Sequence, residues 1–283
     1  MAETNEGDLW MKTIIPSLRS GLVSSKEINV CILQSDGTNC DVELFYAFKK
    51  FGGNPQYVHV NELRSKDKTL KDFQILALPG GFSYGDDIAS GKILAIELIS
   101  FLKQEIERFG NKGGLVIGIC NGFQTLVRTG LLPFGNLGKM DVTLAPNDSG
   151  HFECRWIKLK LELSKCAFLK VNSEIGYFSV NHGEGKFFSS PEVIKKVEDR
   201  NLVVFRYVDD QGKSTQVYPD NPNGSLNAIA GVTDPTGRIF GMMPHPEKFV
   251  DITQYPNWRR EKIIKPHGAF IFEDMINYVR ENL

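Results

Sequence analysis

GLVIGICNGFQ, residues 114–124, is the stretch on which the fold turns. Its first half is a short, unbroken apolar run, as expected of a strand buried on both faces. From Asn121 the pattern becomes helical and runs to Thr129. Between the two lies Gly118-Ile119-Cys120-Asn121-Gly122, which has the form of a nucleophile elbow with cysteine in place of serine. Such a turn holds its central residue in strained backbone and lifts the side chain above the sheet. Gly118 and Gly122 leave room for neighbouring backbone to approach. The following helix directs its first N–H groups at the sulfur, which is expected to favour thiolate and lower the Cys120 pKa. On its own the pentapeptide fits equally well a core cysteine at a strand end.

Working outward, INVCILQ (28–34), PQYVHV (55–60) and QILALP (74–79) read as further buried strands. They alternate with helical patterns over 39–51 and 88–109, which stop at Gly52-Gly53 and Gly110. This βαβα order predicts an α/β fold of three layers, α/β/α, around a mostly parallel sheet of flavodoxin-like type. Beyond Pro133 the character changes. Strand candidates over 152–163, 177–180, 202–207, 228–232 and 239–243 are separated by turn-rich stretches, so the C-terminal half is expected to be strand-rich and partly antiparallel. A last helix is predicted over 269–280. Residues 1–26 read as an N-terminal extension, with Trp10, Ile14, Leu18 and Leu22 spaced as on one face of an amphipathic helix, and residues 27–283 as a single domain.

The bulk composition excludes more than it selects. A net charge of −1 over 283 residues, without a basic stripe, argues against nucleic acid or an anionic membrane as partner. The five cysteines are scattered and form no CxxC, so neither a disulfide framework nor a zinc motif is indicated and no metal is expected. The N-terminus lacks the pattern of a signal peptide and no apolar run is long enough to span a bilayer, so the cytoplasm is the expected compartment.

Two further stretches converge on Cys120. PGGFSYGDD (79–87) follows an apolar strand, and in a parallel sheet both strand ends lie at one edge, where ligands bind. Gly80 and Gly81 can present bare backbone N–H groups there, and the Asn121 N–H is the natural second donor for an oxyanion. MMPHPEKF (242–249) places His245 and Glu247 two apart on extended backbone, facing the same side, with Pro246 holding that form. Glu247 can then orient the imidazole while its other nitrogen takes a proton from Cys120. Singly, a Gly-Gly turn or an exposed HPE turn explains each stretch. Together they supply nucleophile, oxyanion donors and base in the set an amidase needs.

With these residues in place the chain resembles the class I (triad) glutamine amidotransferases over residues 28–260. SDGTNCD (35–41), ALPGGFSYGDD (77–87), GICNGFQ (118–124), NDSGHFECRW (147–156), NHGEG (181–185), YPDNPNGS (218–225) and MMPHPEKF carry the likeness. FSYGDD, NHGEG and NPNGS point to the purine-synthesis branch, the glutaminase components of phosphoribosylformylglycinamidine synthases. The resemblance implies a Cys120–His245–Glu247 triad, an oxyanion hole of Gly81 and Asn121 N–H, and glutamine contacts from Gly80, Phe82, Gln124, Asn147, Ser149 and Phe152. His182 and Glu184 are additional candidates, in a segment that a structural turn would explain as well.

It also implies partners: glutamine as substrate, an ATP-dependent synthase (ligase) subunit that consumes the ammonia, and a small bridging subunit. No GxxxxGK[ST] is present, so ATP and magnesium are expected on the synthase subunit and no cofactor on this chain. Residues 148–151, Asp-Ser-Gly-His, depart from the bulkier or more charged residues usual in the family, and the resemblance assigns no role to KPHGAF (265–270). Two rival readings stay open: a stand-alone cysteine hydrolase of related fold, such as a γ-glutamyl peptidase, and a regulatory pseudo-amidotransferase.

Overall fold

The computed structural model describes residues 27–170, 175–262 and 265–283, so the amphipathic pattern over 10–22 lies outside the described residues. The chain order opens with β1 (Asn29–Gln34), α1 (Asp41–Lys50), β2 (Asn54–His59), α2 (Val60–Ser65), β3 (Ile75–Leu78), α3 (Lys92–Phe101), α4 (Lys103–Asn111), β4 (Leu115–Ile119) and α5 (Asn121–Thr129). It continues with β5 (Thr143–Pro146), β6 (Glu153–Leu161), β7 (Ile175–His182), β8 (Glu184–Phe188), α6 (Pro191–Asp199), β9 (Val203–Tyr207), β10 (Ile229–Thr233), β11 (Ile239–Met242) and α7 (Ala269–Asn282).

Nine strands form one sheet in the order β2-β1-β3-β4-β11-β10-β9-β6-β7. The first five are parallel, and every pairing from β11 outward is antiparallel. β3 and β4 are buried at every position, as their unbroken apolar sequences require. The strand order reverses between β1 and β3, the place where open α/β sheets bind their ligands. Register does the rest. Leu78 and Gly241 both pair with Gly118, so β3, β4 and β11 end almost level. The residues that leave those strands, Gly80, Cys120 and His245, therefore emerge side by side.

The antiparallel half is more than an appendage. β7 is the far edge of the sheet, yet Ser179 on it forms a bridge with His245, whose N–H donates to the Ser179 carbonyl over 2.9 Å. The wing thus curls back over the carboxyl edge of the parallel half. A separate ladder of β5 and β8 continues from it.

Local chemistry explains several boundaries. The 88–109 pattern resolves into two helices broken at Leu102, whose φ is −116°. Its core residues Leu94, Leu98, Leu102 and Ile106 recur every four positions, and such a stripe drifts around a straight helix. The break lets both segments face the sheet. α3 begins only at Lys92, because Gly91 in left-handed backbone packs against Thr125 of α5 too closely for any side chain. α2, absent from the sequence reading, is held by a capping box between His59 and Glu62. No helix among the described residues is long and apolar enough to cross a membrane.

Candidate active site

Cys120 occupies the turn between β4 and α5 with φ 53° and ψ −108°, a left-handed conformation that costs a non-glycine residue of order 1–3 kcal/mol. Its flanking glycines are there by necessity. A β-carbon on Gly122 would fall 2.1 Å from the Leu78 carbonyl oxygen, and one on Gly118 would fall 2.7 Å from the Gly122 backbone. α5 itself is buried at eight of its nine positions, so the surrounding core fixes the strained turn.

His245 and Glu247 are both buried, with His245 Nδ1 and Glu247 Oε1 2.5 Å apart. The two-residue spacing does bring both groups to one side. Gly80 lies between them and the nucleophile. The point that a Gly80 β-carbon would occupy is 2.7 Å from His245 Cε1, 3.4 Å from Cys120 Cβ and 3.4 Å from Cys40 Sγ. Four chain segments that are remote in sequence therefore meet around one glycine.

Gly81 has φ +139°, and its space is closed by the backbone of Gly37 and Asn39. The SDGTNC and PGGFSY loops are stitched backbone to backbone: Cys40 N–H to Gly80 O, Phe82 N–H to Gly37 O and Tyr84 N–H to Asp36 O. The Asn121 side chain locks the second loop to the elbow. Its Oδ1 accepts from Ser83 N–H, and its Nδ2 donates to Asp86 and Gln124.

Gln124 is buried, and its amide donates to the Glu184 carbonyl at 2.5 Å, which ties NHGEG to α5. Arg128 reaches the Glu184 carboxylate at 3.4 Å. Asn147 donates to the carbonyls of His151 and His182, and its Oδ1 meets His182 Nδ1 at 3.1 Å. Ser149 Oγ accepts from the His151 N–H. Phe82 and Phe152 are 44% and 51% exposed, with ring centroids 6.3 Å apart. NHGEG is a corner between β7 and β8 rather than a hairpin turn, and it passes directly over the nucleophile, where the Asn181 carbonyl accepts from the Cys120 thiol at 3.5 Å.

The NPNGS segment supports this corner from behind. Ser225 Oγ donates to the Gly185 carbonyl, and Asn221 and Asn223 are fully engaged with their own turn and Tyr207. KPHGAF also acquires a place. His267 accepts from Tyr177 N–H and stacks on its ring, while Gly268 packs so tightly on the Pro246 carbonyl that a β-carbon would lie 1.9 Å from it. The segment after the triad is thereby held against the start of α7.

The electrostatics differ from the sequence expectation in one respect. Burial pushes the Cys120 thiol well above the ordinary thiol range, and nearby Cys40 and Glu247 push it further. Lys248 and the Asn121 N–H oppose them without prevailing. Desolvation outweighs the helix N-terminus here, because only 5% of the residue reaches solvent. Burial, reinforced by His245, holds His182 down to about 3, so it is neutral at physiological pH.

Buried polar atoms without a partner mark the same place. Among the described residues seven side chains carry one, and five of them, Ser83, Ser179, His182, His245 and Glu247, belong to segments that enclose Cys120. The atoms on the pair are His245 Nε2 and Glu247 Oε2. Folded proteins rarely leave such groups unsatisfied unless something else is to meet them. By contrast, a cavity of about 660 Å³ lined by Lys66, Lys71, Arg108 and Lys112 opens at the amino ends of β3 and β4, the opposite edge, without cysteine or histidine in its lining.

Two residues of this cluster were not singled out in the sequence. Cys40 closes the SDGTNC loop at the end of β1, and its sulfur lies inside the site. Lys248 follows the triad, donates to Asn181 Oδ1 at 3.1 Å and brings the one positive charge named among the influences on Cys120. The signal for both was position: each stands in a loop at the carboxyl edge of a parallel strand.

Comparison with known proteins agrees with this geometry. Residues 27–279 match the CobB/CobQ-like glutamine amidotransferase domain. The chain is 46% identical over 257 residues to the phosphoribosylformylglycinamidine synthase subunit PurQ of Dehalococcoides mccartyi, covering 90% of this chain and 99% of that one. It is 38% identical over 272 residues to the Archaeoglobus fulgidus subunit of the same name, covering 90% and 98%. Among solved structures, PurLQS from Thermotoga maritima superposes on 89% of this chain and 99% of its own with a TM-score of 0.68 and 30% identity.

Proposed function

The chain belongs to the CobB/CobQ-like glutamine amidotransferase family, and from that premise we propose that it is the glutaminase subunit of a phosphoribosylformylglycinamidine synthase. The observation that carries the mechanism is the meeting of Cys120, His245 and Glu247 around Gly80. Relatives named as that subunit, matched over nearly their whole length, support the choice of branch.

In this reading Cys120 Sγ attacks the carboxamide carbon of glutamine as its proton passes to His245 Nε2. The tetrahedral oxyanion is held by the Gly81 and Asn121 N–H groups. His245 returns the proton to the leaving nitrogen, and ammonia departs from a γ-glutamyl thioester. Water, deprotonated by the same imidazole, then releases glutamate and restores the thiol. Glu247 holds the ring in the tautomer that leaves Nε2 free to accept, and stabilises the imidazolium. Phe82 and Phe152 flank the approach, while Gln124, Asn147 and Ser149 shape the wall behind it. His182, neutral and buried, joins NHGEG to that wall.

Ammonia released into water would be lost as ammonium. The partners of this chain are therefore a synthase subunit, which uses ATP and magnesium, and a small bridging subunit. The chain itself needs no cofactor.

Glutamate release is measured for the chain alone and with the synthase subunit, ATP and formylglycinamide ribonucleotide. Release is expected to rise many-fold in the assembly. Cys120→Ala should abolish it while added ammonia still supports amination. A Cys120→Ala protein with full glutamine-dependent turnover would end the reading.

A further inference from the structure

Cys40 takes no part in the amide chemistry, yet it is built into the site. Its backbone N–H is bound to the Gly80 carbonyl at 3.2 Å, and its side chain is only 7% exposed. Its sulfur, one ring nitrogen of His245 and a carboxylate oxygen of Glu247 all lie within 4.8 Å of one another. Thiolate, imidazole and carboxylate are the three donor types that zinc takes from proteins.

The coordination is short of partners in a telling way. His245 Nε2 and Glu247 Oε2 have no hydrogen-bond partner among the described residues. The Cys40 thiol donates to Asn39 Oδ1 at 3.4 Å and is also faced by the Lys248 ammonium, which a bound cation would displace. Charge also balances: a Cys40 thiolate and the Glu247 carboxylate carry two negative charges around a neutral imidazole. With bonds of about 2.0–2.3 Å, tetrahedral ligands stand roughly 3.3–3.8 Å apart, so the Cys40 side closes in by about 1 Å while the 2.5 Å hydrogen bond between His245 Nδ1 and Glu247 Oε1 opens to admit the cation. Gly80 borders the cluster, with Cys120 Cβ beside it. Hard cations such as magnesium or calcium want oxygen ligands and fit this donor set poorly.

We propose that Cys40, His245 and Glu247 form a binding site for a thiophilic divalent cation of the zinc class, whose occupation silences the glutaminase. Binding displaces the Cys40 proton to solvent and forms three metal–ligand bonds. The imidazole and carboxylate are then held by the cation and withdrawn from the proton relay. The binding half of this proposal is independent of the amidotransferase reading, and the silencing half rests on it.

The metal-free full chain is titrated with CdCl2, and thiolate-to-cadmium charge transfer is followed in the ultraviolet. One equivalent should produce the band in the wild type and in Cys154→Ser, which removes the exposed thiol, and Cys40→Ser should lose it. In parallel, ZnCl2 is titrated into the glutaminase assay of the full complex, with each protein normalised to its own metal-free rate. Zinc should inhibit the wild type reversibly by chelator, and Cys40→Ser should need at least tenfold more. Should Cys40→Ser fail to fold, alkylation of wild-type Cys40, read by mass spectrometry with and without zinc, replaces it, and protection is expected. A wild type without the band, a band unchanged in Cys40→Ser, or alkylation indifferent to zinc overturns the metal site. Absence of glutamate release from metal-free complex overturns the glutaminase reading instead.

Discussion

Adding a single methyl group at Gly80 should separate catalysis from folding. Gly80 is outside the left-handed region, so Gly80→Ala meets no backbone penalty of that kind. Its β-carbon would stand 2.7 Å from His245 Cε1 and 3.4 Å from Cys120 Cβ and Cys40 Sγ. Only the first contact is forbidden. Relieving it to an ordinary 3.4 Å requires the imidazole to move by about 0.7 Å away from Gly80 and so out of its present placement relative to Cys120. A displacement near 1 Å in a reacting group costs about 10²-fold, or about 2.7 kcal/mol of barrier. Glutamine-dependent kcat in the full complex should therefore fall by about two orders of magnitude, with the urea midpoint little changed. Gly110→Ala is the control, since a β-carbon there meets nothing within 4 Å and lies in α4. It should leave kcat alone and stabilise by about 0.5–1 kcal/mol. Glutamate release and chemical denaturation are measured on all three proteins. A Gly80→Ala enzyme within threefold of wild type would refute the claim that this glycine spaces base from nucleophile.

Gly122→Ala is a different kind of lesion, because its β-carbon would meet the Leu78 carbonyl at 2.1 Å, backbone on backbone. The elbow cannot relax locally, so destabilisation of about 3 kcal/mol or more is expected in denaturant unfolding. Glu247→Gln preserves the side chain's shape but removes its charge and adds an amide N–H that can donate to His245 Nδ1 and select the wrong tautomer. A loss of about 10²–10⁴ in kcat at nearly constant KM is expected from steady-state glutamine kinetics. His182 titrates near 3 when folded and near 6.5 when unfolded, so below pH 6.5 the unfolded chain binds one proton more. Its contribution to stability therefore falls by about 1.4 kcal/mol per pH unit as pH drops from 6.5 toward 3. Urea midpoints at several pH values should show a shallower acid loss for His182→Gln than for wild type, and parallel curves would contradict the assignment.

The parallel half of the fold was legible because strands buried on both faces must be apolar, as β3 and β4 are throughout and β1 is between its polar ends. Helix α5 was read with its observed ends, since Cys120 and Gly130 bracket it chemically. The meeting of Cys120, Gly80 and His245 was legible too, because they follow strands whose ends parallel topology brings together. What could not be read is contact between elements that share no local pattern. Nothing in NHGEG announces that β7 curls back to pair Ser179 with His245. Cys40 carried no signal of its own, since its sequence neighbours do not reveal that Gly80 lies against it. The short α2 and the β5–β8 ladder were missed for a related reason. Four to six residues of mixed character carry too little periodicity to be distinguished from loop.

Two opposing effects meet at the Cys120 sulfur, and their outcome says how the site must work. The helix N-terminus and Lys248 favour thiolate, while burial and the neighbouring Cys40 and Glu247 favour thiol. Burial prevails, and the thiol accordingly donates to the Asn181 carbonyl, a role that a thiolate has no proton to fill. In the proposed mechanism attack is then coupled to proton transfer onto His245, whose Nε2 is buried and without a partner among the described residues. On the proposed mechanism that transfer creates an ion pair in a buried site, which gains stability when an amide carbonyl is ready to carry the developing charge toward the Gly81 and Asn121 N–H groups. The roof over the thiol is NHGEG, pinned by Gln124 and Arg128 on one side and by Ser225 on the other.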